Sequence, residues 1–469
     1  MRRLFLILLM ALSAGAVQAE DPTTILRFAW WGGGARHEAT LKAIAAFERR
    51  NPGLKIKAEY MGFNGYLERL TTQIAGGSEP DVMQINWAWM AMFSKRGNGF
   101  TDLNPYRSLI ALDQFSADDI ASGMVAGKLN ALPVGFSARV LLWNKAAFDR
   151  AGLPLPKTWE ALFAAGPVFK QKLGDHAYPL DGELYDMMLL AQAYVQQKYG
   201  TPYVDPKAPR VAMSPAAALE WVQVYRRLIS SHVATPLPLR ASLGGADKPT
   251  EQQQDWVVGN WAGNFTWDSA ISLRAATLNK EQKLAIGDFP TLPGAVNSGM
   301  FGRPTLMYAV GRNSKQAALA ARFVNFLLTD PDAALILGKT RGVPAARVPL
   351  EVLVKGNLLP PLEMQAQAQI AAQRAAGAIA PPSPLFEHAR LHRFMREVFE
   401  TVAYNKTTDQ EAATRLIEEG NSLAEAGTAL LPSMPITSSI SARVRATSAE
   451  GKSILLITGM IARSCSTAM

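Results

Sequence analysis

The chain has 469 residues, 48% of them hydrophobic and 19% charged, which favours two globular domains and supplies apolar side chains for a full core. Its formal charge of +9 is concentrated at the ends, with Arg2 and Arg3 at one and a net three in Ser433–Met469 at the other, so the body is only mildly basic, about +4. That balance argues against a nucleic-acid partner, the single Cys465 rules out an intrachain disulfide, and no segment reaches the ~18 uninterrupted apolar residues of a membrane span.

Arg2 and Arg3, the apolar run Leu4–Leu12 and the small residues up to Val17-Gln18-Ala19 read as a signal peptide over 1–19, cleaved after Ala19 for export. Leu26–Trp31 is a β-prone run ending at Gly32-Gly33-Gly34. Leu41, Ile44, Ala45 and Phe47 then recur at helical spacing and stop at Asn51-Pro52-Gly53. Leu54, Ile56, Ala58 and Tyr60 alternate as in a strand. Asn64 is placed to cap a second helix with the stripe Leu67, Leu70 and Ile74, closed by Gly76-Gly77, and Asp81–Asn86 is a third strand. The pattern is βαβαβ, whose crossovers imply parallel strands.

Parallel strands present their carboxyl ends on one edge, where ligands bind. Those ends carry Trp30-Trp31-Gly32, Phe63-Asn64-Gly65 and Asn86-Trp87-Ala88-Trp89, three loops of aromatic and amide groups. Neighbouring strand residues face opposite ways, so one of Trp30 and Trp31 belongs to the core and the other, with Trp31 favoured, to the ligand. The same split is expected of Trp87 and Trp89, with Asn64 and Asn86 as the polar contacts. An indole face suits the patch of C–H groups on a sugar. Arg36 opens the helix behind the glycines, where a cation opposes the helix dipole, so either an anion lies nearby or the side chain is simply solvated. As a phosphate loop the Gly triplet lacks the required Gly and Lys spacing.

Farther along, Val140–Trp143 is a buried strand and Thr158 caps a helix. Met187–Lys198 and Ala216–Ser230 are helices, and "NWAGNFTWDSAISL" at 260–273 sets aromatics and amides at a helix start. Strand Leu306–Val310, helix Gln316–Leu328, the turn Thr329-Asp330-Pro331 and a further helix lead to Arg341-Gly342-Val343-Pro344. Helices Leu362–Ala376, Phe386–Tyr404 and Asp409–Ala429 follow, and the Ser/Thr-rich stretch 433–469 reads as an unstructured tail. His388 and His392 share a helix face without the intervening glutamate of a metalloprotease, so no metal is expected and a solvated face is the reading. Asp181 and Glu183 are not placed around a scissile bond as a glycosidase pair must be.

The segments "LRFAWWGGGARHEATLKAIAAFERRNPGLKIKAEY", "LTTQIAGGSEPDVMQIN", "GKLNALPVGFSARVLLWNKAAFDRAGL", "FVNFLLTDPDAAL" and "RGVPA", in that order, resemble the extracellular solute-binding proteins of ABC sugar importers, family 1, over about 24–430. Within that family "WWGGGARHEATLKAI", "EYMGFNGYLERLTTQIAGGSEPDVMQINWAWM" and "FSKRGNGFTDL" are most similar to oligogalacturonide-binding proteins, whose ligands are uronic acids. The resemblance implies an α/β fold of two lobes, each a mostly parallel sheet flanked by helices, with the ligand in the cleft between them. One lobe holds 24–135 and 303–340, the other 138–300 and 345–430, and three crossings fall near Pro133–Ser137, Met300–Arg303 and Gly342–Pro344. It also implies a periplasmic monomer that closes on an oligosaccharide and delivers it to a membrane permease, with no cofactor and no catalysis. Phe136, Ser137 and Arg139 fall at the first crossing and Phe301 and Arg303 at the second. Both arginines are placed either to clamp a ligand carboxylate or to pair with acids across the lobes. Asn264 and Trp267 fall where family members stack a second aromatic on the sugar, and Tyr185 where they contribute a tyrosine.

Overall fold

The computed structural model describes residues 24–380 and 382–428; the expected signal peptide and the stretch 433–469 lie outside the described residues. The first strand, β1 (Thr24–Trp31), splits its side chains as its alternation demands. Leu26, Phe28 and Trp30 enter one core beneath helix α1 (Gly34–Arg50), while Ala29 and Trp31 enter another beneath α2 (Tyr66–Ala75). β1 pairs in parallel with β2 (Leu54–Met61), Trp31 opposite Met61, and with β3 (Val82–Asn86), Phe28 opposite Val82. The expected cap Asn64 is exposed and does not cap: α2 starts from Gly65, whose φ of 82° is left-handed.

A short hairpin of β4 (Met124–Val125) and β5 (Lys128–Leu129) leads to β6 (Ala131–Pro133). The next strand, β7 (Phe136–Asn144), already belongs to a second sheet, with β8 (Gly263–Trp267), β9 (Leu284–Ile286) and β10 (Gly302–Pro304). The chain then returns as β11 (Leu306–Val310), which completes the first sheet in the order β2-β1-β3-β11-β6. Strands β7 to β10 pair antiparallel, and parallel pairing in that half is reduced to single bridges, Tyr178 to Trp261 and Leu180 to Ala234. Pro179 sits inside that segment and has no N–H for a ladder, which keeps the parallel part short.

The two sheets are joined by very short connections. Val134 and Gly135 link β6 to β7, and Thr305 alone links β10 to β11. These links bond to one another and to a third segment: Val134 N–H to the Leu306 carbonyl at 2.8 Å, Thr305 N–H to the Gly135 carbonyl at 2.9 Å, and Ala345 N–H to the Val134 carbonyl at 3.0 Å. A Cβ on residue 135 would stand 2.4 Å from the Val343 carbonyl oxygen, so only glycine lets the three segments pass. The third segment differs from expectation in one respect. Ala345 and Ala346 pack on the first sheet's core and helix Arg347–Lys355 rests on helices Ala317–Thr329 and Pro331–Leu337, so 345–355 stays with the first sheet. Helix Pro361–Ala375 then packs on β9 and the helix Ile271–Ala276 of the second.

Candidate functional site

At the carboxyl ends of β1 and β3 an aromatic cluster forms on the α2 side. Trp31 lies 5.1 Å from Trp89, 5.0 Å from Tyr66 and 5.8 Å from Phe63, and Tyr66 and Trp89 are stacked at 6.2 Å. Phe63 is exposed and Trp89 half-buried, so these two rings reach solvent, whereas Trp31, favoured above for the ligand, is 7% exposed and packs with Tyr66 in a core cluster. Trp30 does not join it. It is fully buried on the other face, stacked on Tyr60 at 4.9 Å, and its indole N–H donates to His37 Nδ1 at 3.1 Å. Trp87 is likewise core, 4% exposed. The Asn86 side chain accepts the Ala88 N–H at 3.0 Å and so starts the turn that holds Trp89.

On the second sheet, β7 and β8 bring Arg139 opposite Trp267. The Arg139 and Arg303 guanidinium carbons lie 4.9 and 4.7 Å from the centre of the Trp267 ring, within cation–π range. Phe301 meets Trp267 edge-on at 5.8 Å. Both arginines already have acids: Arg139 pairs with Asp186, and Arg303 donates to Glu387 at 2.6 Å. Both acids belong to elements packed in the same core as β7 and β10, so these pairs lie within the second-sheet half and not across the lobes. Tyr185 faces Arg139 at 5.5 Å, with its hydroxyl buried and without a partner. Burial raises its pKa, as it raises those of Asp181, Glu183 and Asp186. Asn264 is buried and accepts from Arg274 at 3.2 Å, Ser137 donates its hydroxyl to Asp268, and Phe136 lies 4.2 Å beneath Arg374. His392 is half-buried against Tyr185 at 4.7 Å, which replaces the solvated helix face expected for it. The turn Trp87–Trp89 packs on the turn Pro384–Glu387, so the aromatic cluster and the Arg303–Glu387 pair are neighbours.

Arg36 stands apart from those two arginines. It donates to the Thr340 carbonyl at 2.9 Å and the Trp31 carbonyl at 3.1 Å, and no carboxylate is among the groups acting on it. Burial, with the charge of Arg341 second, lowers its pKa to about 10. Gly32 makes that pose available, because a Cβ there would stand 2.5 Å from Arg36 Cδ. Arg341, noted in the sequence only as the residue after a helix and just before the Gly342–Pro344 crossing, is thereby part of this corner. Among the described residues no helix is long and apolar enough to cross a membrane, and no group of three metal-ligating side chains forms.

Residues 33–334 match the family described as bacterial extracellular solute-binding protein. The diacetylchitobiose binding protein DasA of Streptomyces coelicolor is 27% identical over 316 residues, 65% of this chain and 69% of that one. A putative binding protein of Brucella abortus is 28% identical over 193 residues, 41% of this chain, and the match spans only 46% of that relative's length. Among solved structures, a periplasmic oligogalacturonide binding protein from Yersinia enterocolitica is 35% identical with a TM-score of 0.80, over 87% of this chain and 100% of that one. A de novo designed cysteine esterase has the same coverage, 35% identity and a TM-score of 0.82.

Proposed function

The chain belongs to the bacterial extracellular solute-binding proteins, and from that premise we propose that it captures an acidic oligosaccharide of the oligogalacturonide kind in the periplasm and hands it to an ABC permease. The lobes would be 24–135 with 305–355, and 136–304 with 356–428, which moves Arg303 from the first lobe to the second because β10 pairs with β7. The sugar would lie between the Trp31–Phe63–Trp89 cluster and Trp267. The observation that carries the acidic ligand is Arg36, a half-buried cation whose hydrogen bonds go to the Thr340 and Trp31 carbonyls and to no carboxylate, at the edge of the aromatic cluster. Asn64, Asn86, Tyr185 and the Phe136–Arg139 and Phe301–Arg303 segments would line the same cleft. A ligand carboxylate at Arg303 would have to displace Glu387.

Binding would favour the closed form only through contacts the open form lacks, since equal affinity for both shifts nothing. The test is calorimetry of the mature protein with digalacturonate, maltose and glycerol 3-phosphate. Saturable binding of digalacturonate, recovered intact and weakened by salt, is the expected result. Tighter binding of maltose would assign a neutral sugar, tighter binding of glycerol 3-phosphate a phosphorylated polyol, and product formation an enzyme.

A further inference from the structure

Arg341 is 5% exposed, yet every partner it has is neutral. Its Nε donates to Gln84 Oε1 at 2.8 Å and one Nη to Thr40 Oγ1 at 2.8 Å, while Nη1 is buried with no acceptor at all. The Tyr308 hydroxyl, on the ring 5.9 Å from the same guanidinium, is also buried without a partner. A buried guanidinium without a counter-charge is strongly unfavourable, and most folds remove one or pair it. Here a second arginine, Arg36, is close enough for Arg341 to lower its pKa. The same corner holds the start of the 17-residue helix α1, which has no side-chain cap and no acidic residue in its first turn, with Gly33 exposed. Three sources of positive potential therefore converge without an anion.

The network also ties this charge to the aromatic platform. Thr40 accepts from Arg341 and donates to the Arg36 carbonyl at 2.6 Å. Gln84 accepts from Arg341 and donates to the Trp31 carbonyl at 3.2 Å, the same oxygen that Arg36 Nη1 holds. We propose that Arg36 and Arg341 form a carboxylate receptor beside Trp31, in which Arg36 is the contacting group and Arg341 the buried charge behind it. The proposal rests on the acidic-oligosaccharide reading for its ligand, one uronate carboxylate of a sugar held against the solvent-reaching rings Phe63 and Trp89 of that cluster. It makes Arg341 a positioning and selectivity residue rather than a structural one.

The experiment measures digalacturonate and its neutral counterpart, α-1,4-galactobiose, against wild type, Arg341→Met and Arg36→Met, with urea stability of each unliganded protein. Arg341→Met is expected to lower the digalacturonate-to-galactobiose affinity ratio by about 10- to 100-fold, the order of the Coulombic attraction between a buried charge and a carboxylate several ångströms away at an intermediate effective dielectric. The unliganded variant should be as stable as wild type or more so, because an unpaired buried charge is gone. An unchanged ratio, or a loss of stability with equal losses for both sugars, overturns the receptor while leaving the acidic-sugar reading in place. If Arg341→Met does not fold, Arg341→Lys replaces it under the same criterion, since an ammonium keeps the charge but not the planar fork. If wild type binds no digalacturonate, the acidic-sugar reading fails and galacturonic acid itself decides the receptor. A melting temperature raised by it in wild type but not in the variant, against sodium chloride at equal ionic strength, upholds the site, and no rise in either overturns it.

Discussion

Asp268 gives the sharpest electrostatic prediction. Its carboxylate lies at the end of β8, next to Trp267, and accepts the Ser137 hydroxyl, the Ala138 N–H at 3.2 Å and the Gln367 amide at 2.5 Å. These bonds favour the charged form, but burial outweighs them and lifts the pKa from 3.8 to about 6. The sign follows directly. Between those two values the folded protein holds a proton that the unfolded chain has released, so stability falls as pH rises from about 4 to about 6 and stays reduced above. A displacement of roughly two pKa units corresponds to about 3 kcal/mol. Other acids titrate in this range, so the quantity to measure is the difference between wild type and Asp268→Asn in urea unfolding at pH 4, 5, 6 and 7. The substitution keeps an acceptor for Ser137 and Ala138 and removes the titration. Wild type should lose about 3 kcal/mol relative to Asp268→Asn across that window. Parallel pH profiles for the two proteins would refute the claim that burial wins over the hydrogen bonds.

The adjacent tryptophans of β1 and the turn after β3 divide stability from binding. Trp30→Ala, in a fully buried stack, should cost about 3–5 kcal/mol in urea unfolding. Trp89→Ala should cost much less stability but weaken the oligosaccharide about 3- to 10-fold by calorimetry. Gly32→Ala leaves both arginines in place yet puts a methyl group where Arg36 Cδ runs. It should reduce digalacturonate affinity several-fold, by about 1 kcal/mol, with little effect on galactobiose.

What the sequence discloses about this site depends on how far each property reaches along the chain. The alternation in β1 is local, so it correctly sends Trp30 and Trp31 to opposite faces of the sheet, yet both faces are packed and both side chains are core; the helix and strand periods around it hold because they too are local. The helix start at 65 rather than 64 is also local, but it turns on a left-handed glycine that competes with the side-chain cap. Charge compensation is not local at all. Arg139 and Arg303 sit in the crossings and look free in one dimension, but Asp186 arrives from 47 residues away and Glu387 from 84. Arg341 shows the converse: its hydrogen-bond partners Gln84 and Thr40 lie 257 and 301 residues back, and both are neutral. Periodicity therefore locates the carboxyl edge of the first sheet, while which arginines near it still lack an anion is decided only when the distant segments meet. An oligosaccharide carrying a carboxylate would complete a corner of that edge where, among the described residues, Arg36 and Arg341 bond only to neutral groups.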